Sequence, residues 1–244
     1  LYYRNNLSAL VTLLEAMTET GVHNLVFSSS CTVYGQPEKL PVTEQTPVQP
    51  ATSPYGNTKQ VGEEIIRDTV ASKARLKALA LRYFNPIGAH PSALIGELPR
   101  GVPSNLVPFI TQSAAGLRGP LAVFGTDYPT PDGTCVRDFI HVVDLAKAHV
   151  KALEVLADRR EESYYDVFNL GTGQGNSVLE LINTFKEATG VDLQYTLAPR
   201  RSGDVTAVYA DATKATEGLG WRAEKSLAES LADAWRWQQK VGRD

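Results

Sequence analysis

Apolar runs of strand length, Leu25-Val26-Phe27, Leu76 to Phe84 and Val167 to Leu170, alternate along this chain with segments of helical period. Antiparallel strands can be joined by two residues, whereas parallel strands need a crossover of a dozen or more, usually a helix. Helix, strand, helix, strand at this spacing predicts an α/β protein with a parallel sheet covered on both faces. The first helix is read over residues 2–20 from Leu7, Leu10, Val11, Leu14 and Met17, with Gly21 as its stop. A Pro-rich loop from Pro37 to Pro54 delivers the chain to a second helix with the apolar stripe Val61, Ile65, Ile66 and Val70. Beyond Asn85-Pro86 the texture changes to Gly, Pro and Asn through Pro108. Shorter elements follow: helices near 106–117, 144–156 and 178–189, strands at 121–124, 167–170 and 193–197, and a last helix carrying Leu227, Leu231 and Trp235 at i, i+4 and i+8. A soft boundary near residue 85 divides the chain into 1–85 and 86–244, with some segments of the latter expected to return to the first domain.

With 244 residues the chain can bury a full core. A net charge of -3 of mixed sign gives no basic footprint for nucleic acid and no polybasic membrane patch. No stretch approaches the ~18 unbroken apolar residues of a membrane span. Two cysteines, Cys31 and Cys135, form no disulfide framework and fit a reducing cytoplasm. His23, His90, His141 and His149 lack metal-ligand spacing, so no metal is expected. The chain opens at Leu1, directly in a helical pattern, and reads as a piece of something longer.

Tyr55 and Lys59 stand four residues apart behind Ser53-Pro54. Ser53 suits an N-cap and Pro54 the first helical position, which places residues 55 and 59 about 40° apart on one helical face. A phenol, with an ordinary pKa near ~10, is a poor base at neutral pH. An ammonium about 4 Å away, at an effective dielectric of ~20, is worth roughly 4 kcal/mol and would pull that pKa down. Ser30, closing the first strand, supplies a hydroxyl that can share the proton. Read singly, Lys59 is a solvated lysine and Ser30 a plain strand-end hydroxyl; together with Tyr55 they form a base, a cation that tunes it and a relay. Gly171-Thr172-Gly173-Gln174-Gly175 also follows a strand and precedes a helix, but a dinucleotide fingerprint needs its third glycine where Asn176 stands. A tight turn with Asn176 or Ser177 as helix cap is the expectation there.

Six ordered stretches bring these residues into register with a known family. They are Tyr2 to Asn6, Phe27 to Gly35, Pro54 to Lys59, Leu81 to His90, Val136 to Leu145 and Arg200 to Asp204. The chain resembles the extended short-chain dehydrogenase/reductase family, and within it the enzymes that epimerise UDP-hexoses at C4. The resemblance implies a Rossmann-like doubly wound parallel sheet, incomplete at its first βαβ units, with a smaller α/β substrate-binding domain. In the family a Gly-rich turn after the first strand cradles the cofactor pyrophosphate. Two to three strand-helix units of ~30 residues each would place about 90 residues ahead of Leu1.

The implied cofactor is NAD and the implied substrate a UDP-sugar. Tyr55 would take the proton of the sugar 4-hydroxyl through Ser30, while Lys59 holds the nicotinamide ribose and lowers the Tyr55 pKa. Asn5 would stand on the cofactor side, with Tyr83 and Phe84 bracketing sugar and nicotinamide and Thr32 as a second hydroxyl at the sugar. Arg137 and Arg201 would clamp the diphosphate, Asp204 would accept the uridine ribose hydroxyls, and Asn85, Asn105, Leu106, Val123, Phe124 and Val208 would complete the substrate set. A lone Arg137 is as well read as a surface ion pair with Asp138. Cys31 and Thr32 occupy the places where related 4,6-dehydratases carry Asp and Glu, which disfavours dehydration. Val208 stands where plain-hexose epimerases have tyrosine, implying tolerance of N-acetylated UDP-hexosamines unless Val208 is core filler. A homodimer follows from the resemblance by analogy. The alternatives are a UDP-glucuronate epimerase, a keto-sugar reductase, or a fragment that binds nucleotide sugar without NAD and is itself inactive.

Overall fold

The computed structural model describes residues 1–72, 75–201 and 203–241, so Ser202 of the Arg200–Asp204 stretch lies outside the described residues. A six-residue π-helical turn, Tyr3–Ser8, leads into α1 (Ala9–Thr20), which Gly21 ends at φ 70° with its N–H on the Met17 carbonyl. Next come β1 (Asn24–Ser30), a 3-10 turn at Cys31–Tyr34, α2 (Pro54–Ala71) and β2 (Lys77–Tyr83). The chain continues through β3 (Asn85–Ile87), α3 (Leu106–Ala114), β4 (Leu121–Phe124), β5 (Val136–Arg137) and β6 (Phe139–His141). Then follow α4 (Val142–Asp158), β7 (Tyr164–Leu170), β8 (Asn176–Ser177), α5 (Val178–Thr189), β9 (Tyr195–Ala198), β10 (Ala207–Val208), α6 (Thr213–Leu219) and α7 (Leu227–Val241). Two compact units result. One comprises Leu1–Phe84, Ala146–Leu170 and Ala210–Arg222; the other Asn85–Leu145, Gly171–Tyr209 and Ala223–Asp244, of equal chain length.

In the first unit β1, β2 and β7 form a parallel sheet in that order. Leu79, Ala80 and Leu81 are fully buried, as a strand covered on both faces requires. Leu10, Leu14 and Met17 of α1 and Ile66 of α2 pack on Leu76 and Ala78, with Leu25 and Phe27 against them. Each large apolar side chain withdrawn from water contributes roughly 1.5–3 kcal/mol before conformational entropy offsets it. The opposite face is met by α4, whose His149 Nε2 lies 3.3 Å from the Ser28 hydroxyl. The register sets Ser29 beside Arg82 and Ser30 beside Tyr83, which gathers the polar residues at the carboxyl ends of the strands.

The second unit is built from short pieces. β5 lies between β10, parallel to it, and β8, antiparallel; β3 pairs with β6 and β4 with β9, both parallel. Its core joins Ile110 of α3, Val123 of β4, Leu181, Ile182 and Phe185 of α5 and Leu231 of α7. The helix expected to reach residue 117 stops at Ala114, because the chain turns at Gly116 with φ 72°.

Candidate active site

The first cluster is assembled by α2 and the end of β1. Ser53 caps α2, its hydroxyl accepting the Gly56 N–H at 3.1 Å, and Pro54 occupies the first turn, so Tyr55 stands at the start of the helix. Gly62 lets α2 come close to β1: a Cβ there would lie 2.8 Å from the Phe27 ring. That approach lowers Lys59 onto the strand, where its ammonium donates to the Ser28 carbonyl at 2.8 Å and lies 5.3 Å from the Phe27 ring centroid. One turn on, Glu63 accepts the Ser29 hydroxyl at 2.5 Å. Ser30 follows, its hydroxyl accepting the Thr32 N–H at 3.2 Å and also acting on the Tyr55 phenol. Three successive residues of β1 thus meet three residues of one helical stripe.

The electrostatics differ from the sequence expectation. Burial pushes the Tyr55 phenol above its ordinary pKa and Tyr83 adds to the rise, while the hydrogen bond from Ser30 pulls the other way. Burial also lowers the Lys59 pKa. The predicted depression of Tyr55 by Lys59 is therefore corrected. The ammonium donates to the Ser28 carbonyl and lies 5.5 Å from the centroid of the Tyr55 ring, over its face.

Tyr83 is half-buried with its ring 6.3 Å from that of His149, and Phe84 is buried with its N–H on the Leu170 carbonyl. Asn5 is exposed on the leading π-helical turn, and Thr32 is exposed on the 3-10 turn. That leading turn is joined to α2: Asn6 donates to Thr58 at 2.9 Å, Asn57 donates to the Tyr3 hydroxyl at 2.9 Å, and Tyr2 meets Tyr55 edge-to-face at 6.0 Å.

Sequence reasoning missed the buried network beneath this cluster. The Arg82 guanidinium forks onto Glu63 at 2.9 and 2.5 Å and donates to the Tyr34 hydroxyl at 3.0 Å. Tyr34 donates to Asn169 at 2.6 Å, and Asn169 donates to the Val42 carbonyl at 3.0 Å. The Arg82 and Glu63 side chains are each 7% exposed. An arginine within an otherwise apolar strand was the available signal, since a charge there needs a buried partner.

The second cluster is a pocket of about 470 Å³ within the second unit. Asn85, Asn105, Leu106 and Phe124 line it, and so do Arg137, Arg201 and Asp204. Arg201 pairs with Asp204 at 2.9 Å, a contact that raises the arginine pKa, and its guanidinium lies 5.4 Å from the Phe124 ring centroid. The Arg137 guanidinium donates to the Val136 carbonyl at 2.9 Å and has no carboxylate partner among the described residues. The surface pair with Asp138 does not form, because that carboxylate is turned toward Thr172 and Gly173.

Two expected members are absent from the pocket wall. Val123 is fully buried in the core cluster, and Val208, although in register with Arg137, is 5% exposed and faces the interior. Pro103, Ser104 and Phe109, which the sequence did not single out, line the pocket instead. The Gly171–Gly175 segment is a turn, and Ser177 caps α5 in a reciprocal capping box with Glu180. Among the described residues no group of His, Cys, Asp or Glu comes together as a metal site, and no helix is long and apolar enough to cross a membrane.

Residues 1–171 match the NAD dependent epimerase/dehydratase family. The chain is 52% identical over 239 residues to the UDP-glucose 4-epimerase of Drosophila melanogaster, covering 98% of this chain and 68% of that protein. It is 52% identical over 237 residues to the UDP-glucose 4-epimerase of Bacillus subtilis, covering 97% and 69%. Among solved structures, UDP-glucose-4-epimerase from Stenotrophomonas maltophila with bound NAD and formylated UDP-arabinopyranose matches with a TM-score of 0.95 at 51% identity, over 99% of this chain and 70% of that one. The Bifidobacterium longum enzyme in complex with NAD+ and UDP matches with a TM-score of 0.92 at 47% identity, over 98% and 70%.

Proposed function

This chain belongs to the NAD dependent epimerase/dehydratase family, and we propose that its first unit carries out the chemistry and its second unit grips the substrate in one isomerisation. The reaction is inversion of C4 of a UDP-hexose, interconverting UDP-glucose and UDP-galactose through a 4-keto sugar, with NAD as cofactor. The observation that carries the reading is the alignment of Tyr55, Lys59 and Ser30 at the α2–β1 junction.

The residues present fit the nicotinamide end of the cofactor. Lys59 gives one hydrogen bond to Ser28 and has further N–H donors for ribose hydroxyls. Half-buried Tyr83 supplies ring surface and exposed Asn5 an amide, while Phe84, being buried, has little surface to offer. The Gly171–Gly175 turn is filled by a carboxylate and holds no part of it. Bound NAD supplies a reversible two-electron acceptor for sugar C4.

The protein's own groups move the proton. Tyr55 takes the 4-hydroxyl proton through Ser30 and returns it to the new alcohol, so the base must ionise when the site is loaded. In the free chain it is held neutral by burial; a second positive charge brought near the phenol opposes that effect. The UDP moiety belongs to the second unit. Arg137 and Arg201 match its phosphate oxygens, and Asp204, released from Arg201, accepts ribose hydroxyls. A homodimer is supported by exposed Tyr2, Tyr3, Val11 and Leu13 at the leading helix, and a cytoplasmic setting by two buried cysteines that form no disulfide.

Incubation of the protein with UDP-galactose and NAD, followed by separation of the sugars, tests this function. UDP-glucose formed without accumulation of NADH is the expected result. Stoichiometric NADH would instead indicate a dehydrogenase, and no conversion would leave only a nucleotide-sugar binder.

A further inference from the structure

Asp138 stands between two residues of the pocket wall, Arg137 and Phe139, yet is itself fully buried. Successive side chains on extended backbone point to opposite sides, so its carboxylate is turned away from the pocket. There it is met by the Gly171–Gly175 turn. Oδ1 accepts the Thr172 N–H at 2.8 Å and the Thr172 hydroxyl at 2.7 Å, while Oδ2 accepts the Gly173 N–H at 3.1 Å. Gly173 has φ 77°, the left-handed conformation that lets successive N–H groups converge on one anion. The main chain of Asp138 is used as well, its carbonyl accepting the Asn85 N–H at 3.0 Å.

Arg137 needs such an anchor. It lies on a two-residue strand, beside Asn176 of β8 on one side and Val208 of β10 on the other, and so short a ladder fixes little by itself. The clamped turn leads directly into β8. One buried carboxylate thus ties down the backbone of Arg137, the segment that brings up its strand partner, and the start of Asn85's strand.

We propose that Asp138 is the positioning residue for phosphate recognition. It is an internal anion filling an anion-binding turn, and it fixes the backbone from which Arg137 and Asn85 face the pocket. The inference rests on reading that pocket as the UDP site. Hydrogen bonds to an ionised carboxylate are about twice as strong as neutral ones. An asparagine would turn an N–H₂ group toward donors that need an acceptor.

Calorimetric titration of the 244-residue protein with UDP and with uridine reads the phosphate contribution as the ratio of the two dissociation constants. Asp138→Asn is expected to cut the UDP preference about tenfold while leaving uridine within about twofold, the loss of roughly one charge-assisted contact. Thr172→Val keeps the size of the side chain and removes the hydroxyl that donates to Asp138 at 2.7 Å and accepts the Gln174 N–H at 3.1 Å, so a drop of about two- to threefold is expected. This second variant decides the matter if Asp138→Asn does not fold. A UDP preference equal to wild type in the folded variants overturns the inference and leaves the pocket assignment standing. A wild-type protein that binds UDP no better than uridine overturns both.

Discussion

The corner at Tyr55 and the pocket at Arg137 are built in opposite ways. The first sits on long regular elements and is pinned from below by a buried ion pair, with Ser30 6% exposed and the Arg82 and Glu63 side chains 7% exposed. The second is walled mainly by two- to four-residue strands and loops, with the first turns of α3 and α5 beside them, and its Arg201 side chain is 59% exposed, paired with a neighbour it can leave. Proton transfer depends on placement to a fraction of an ångström, which a rigid helix–strand junction provides. Holding a flexible diphosphate depends on charge and on the freedom to close around it.

The contrast can be broken by substitutions that separate rate from grip. Tyr55→Phe removes the proton acceptor while keeping the ring, and turnover of UDP-galactose should fall about 10²- to 10⁴-fold with KM little changed. Glu63→Gln leaves the Arg82 guanidinium buried without its anion, and equilibrium denaturation should show a loss of about 3–5 kcal/mol. If the variant unfolds at the wild-type midpoint, the corner is not pinned from below. On the pocket side, Arg137→Ala should weaken UDP by roughly 10- to 100-fold with thermal stability near wild type, since a charged hydrogen bond is worth about 1.5–3 kcal/mol.

The smallest effect is with pH. Burial raises the Tyr34 phenol to about 12 and also lifts Tyr55 and Tyr165. The unfolded chain ionises these groups near ~10, before the folded one does, so their contribution is complete below that pH and declines as pH rises toward about 12 and beyond. Melting temperature followed from pH 8 upward should begin to drop near ~10, and Tyr34→Phe should flatten the drop.

Legibility followed the same division. The parallel strands at 24–30 and 77–83 and the helix opening at Pro54 were readable because apolar runs and a Ser-Pro cap act locally. Tyr55 and Lys59 fall on one helical face by spacing alone. That spacing could not show that the phenol is buried, nor that the ammonium donates to the Ser28 carbonyl, which is why the direction of the Tyr55 shift was misread. Strands β5, β8 and β10 were invisible because two-residue ladders have no periodicity and owe their existence to partners dozens of residues away. Val123 shows the limit of carrying a position over by resemblance: its neighbour Phe124 lines the pocket, while Val123 itself packs in the core. Of the charged residues committed inward, Glu63 and Asp138 look in sequence like ordinary surface charges, and only Arg82, set in an apolar strand, carried a signal.

The division of labour between the two units is tested most directly by titrating UDP into Tyr55→Phe and comparing the dissociation constant with wild type. The account predicts the same constant within about twofold, a difference under ~0.5 kcal/mol, although turnover falls about 10²- to 10⁴-fold. A loss of UDP affinity as large as that of Arg137→Ala would contradict it, because grip and chemistry would then depend on the same residues.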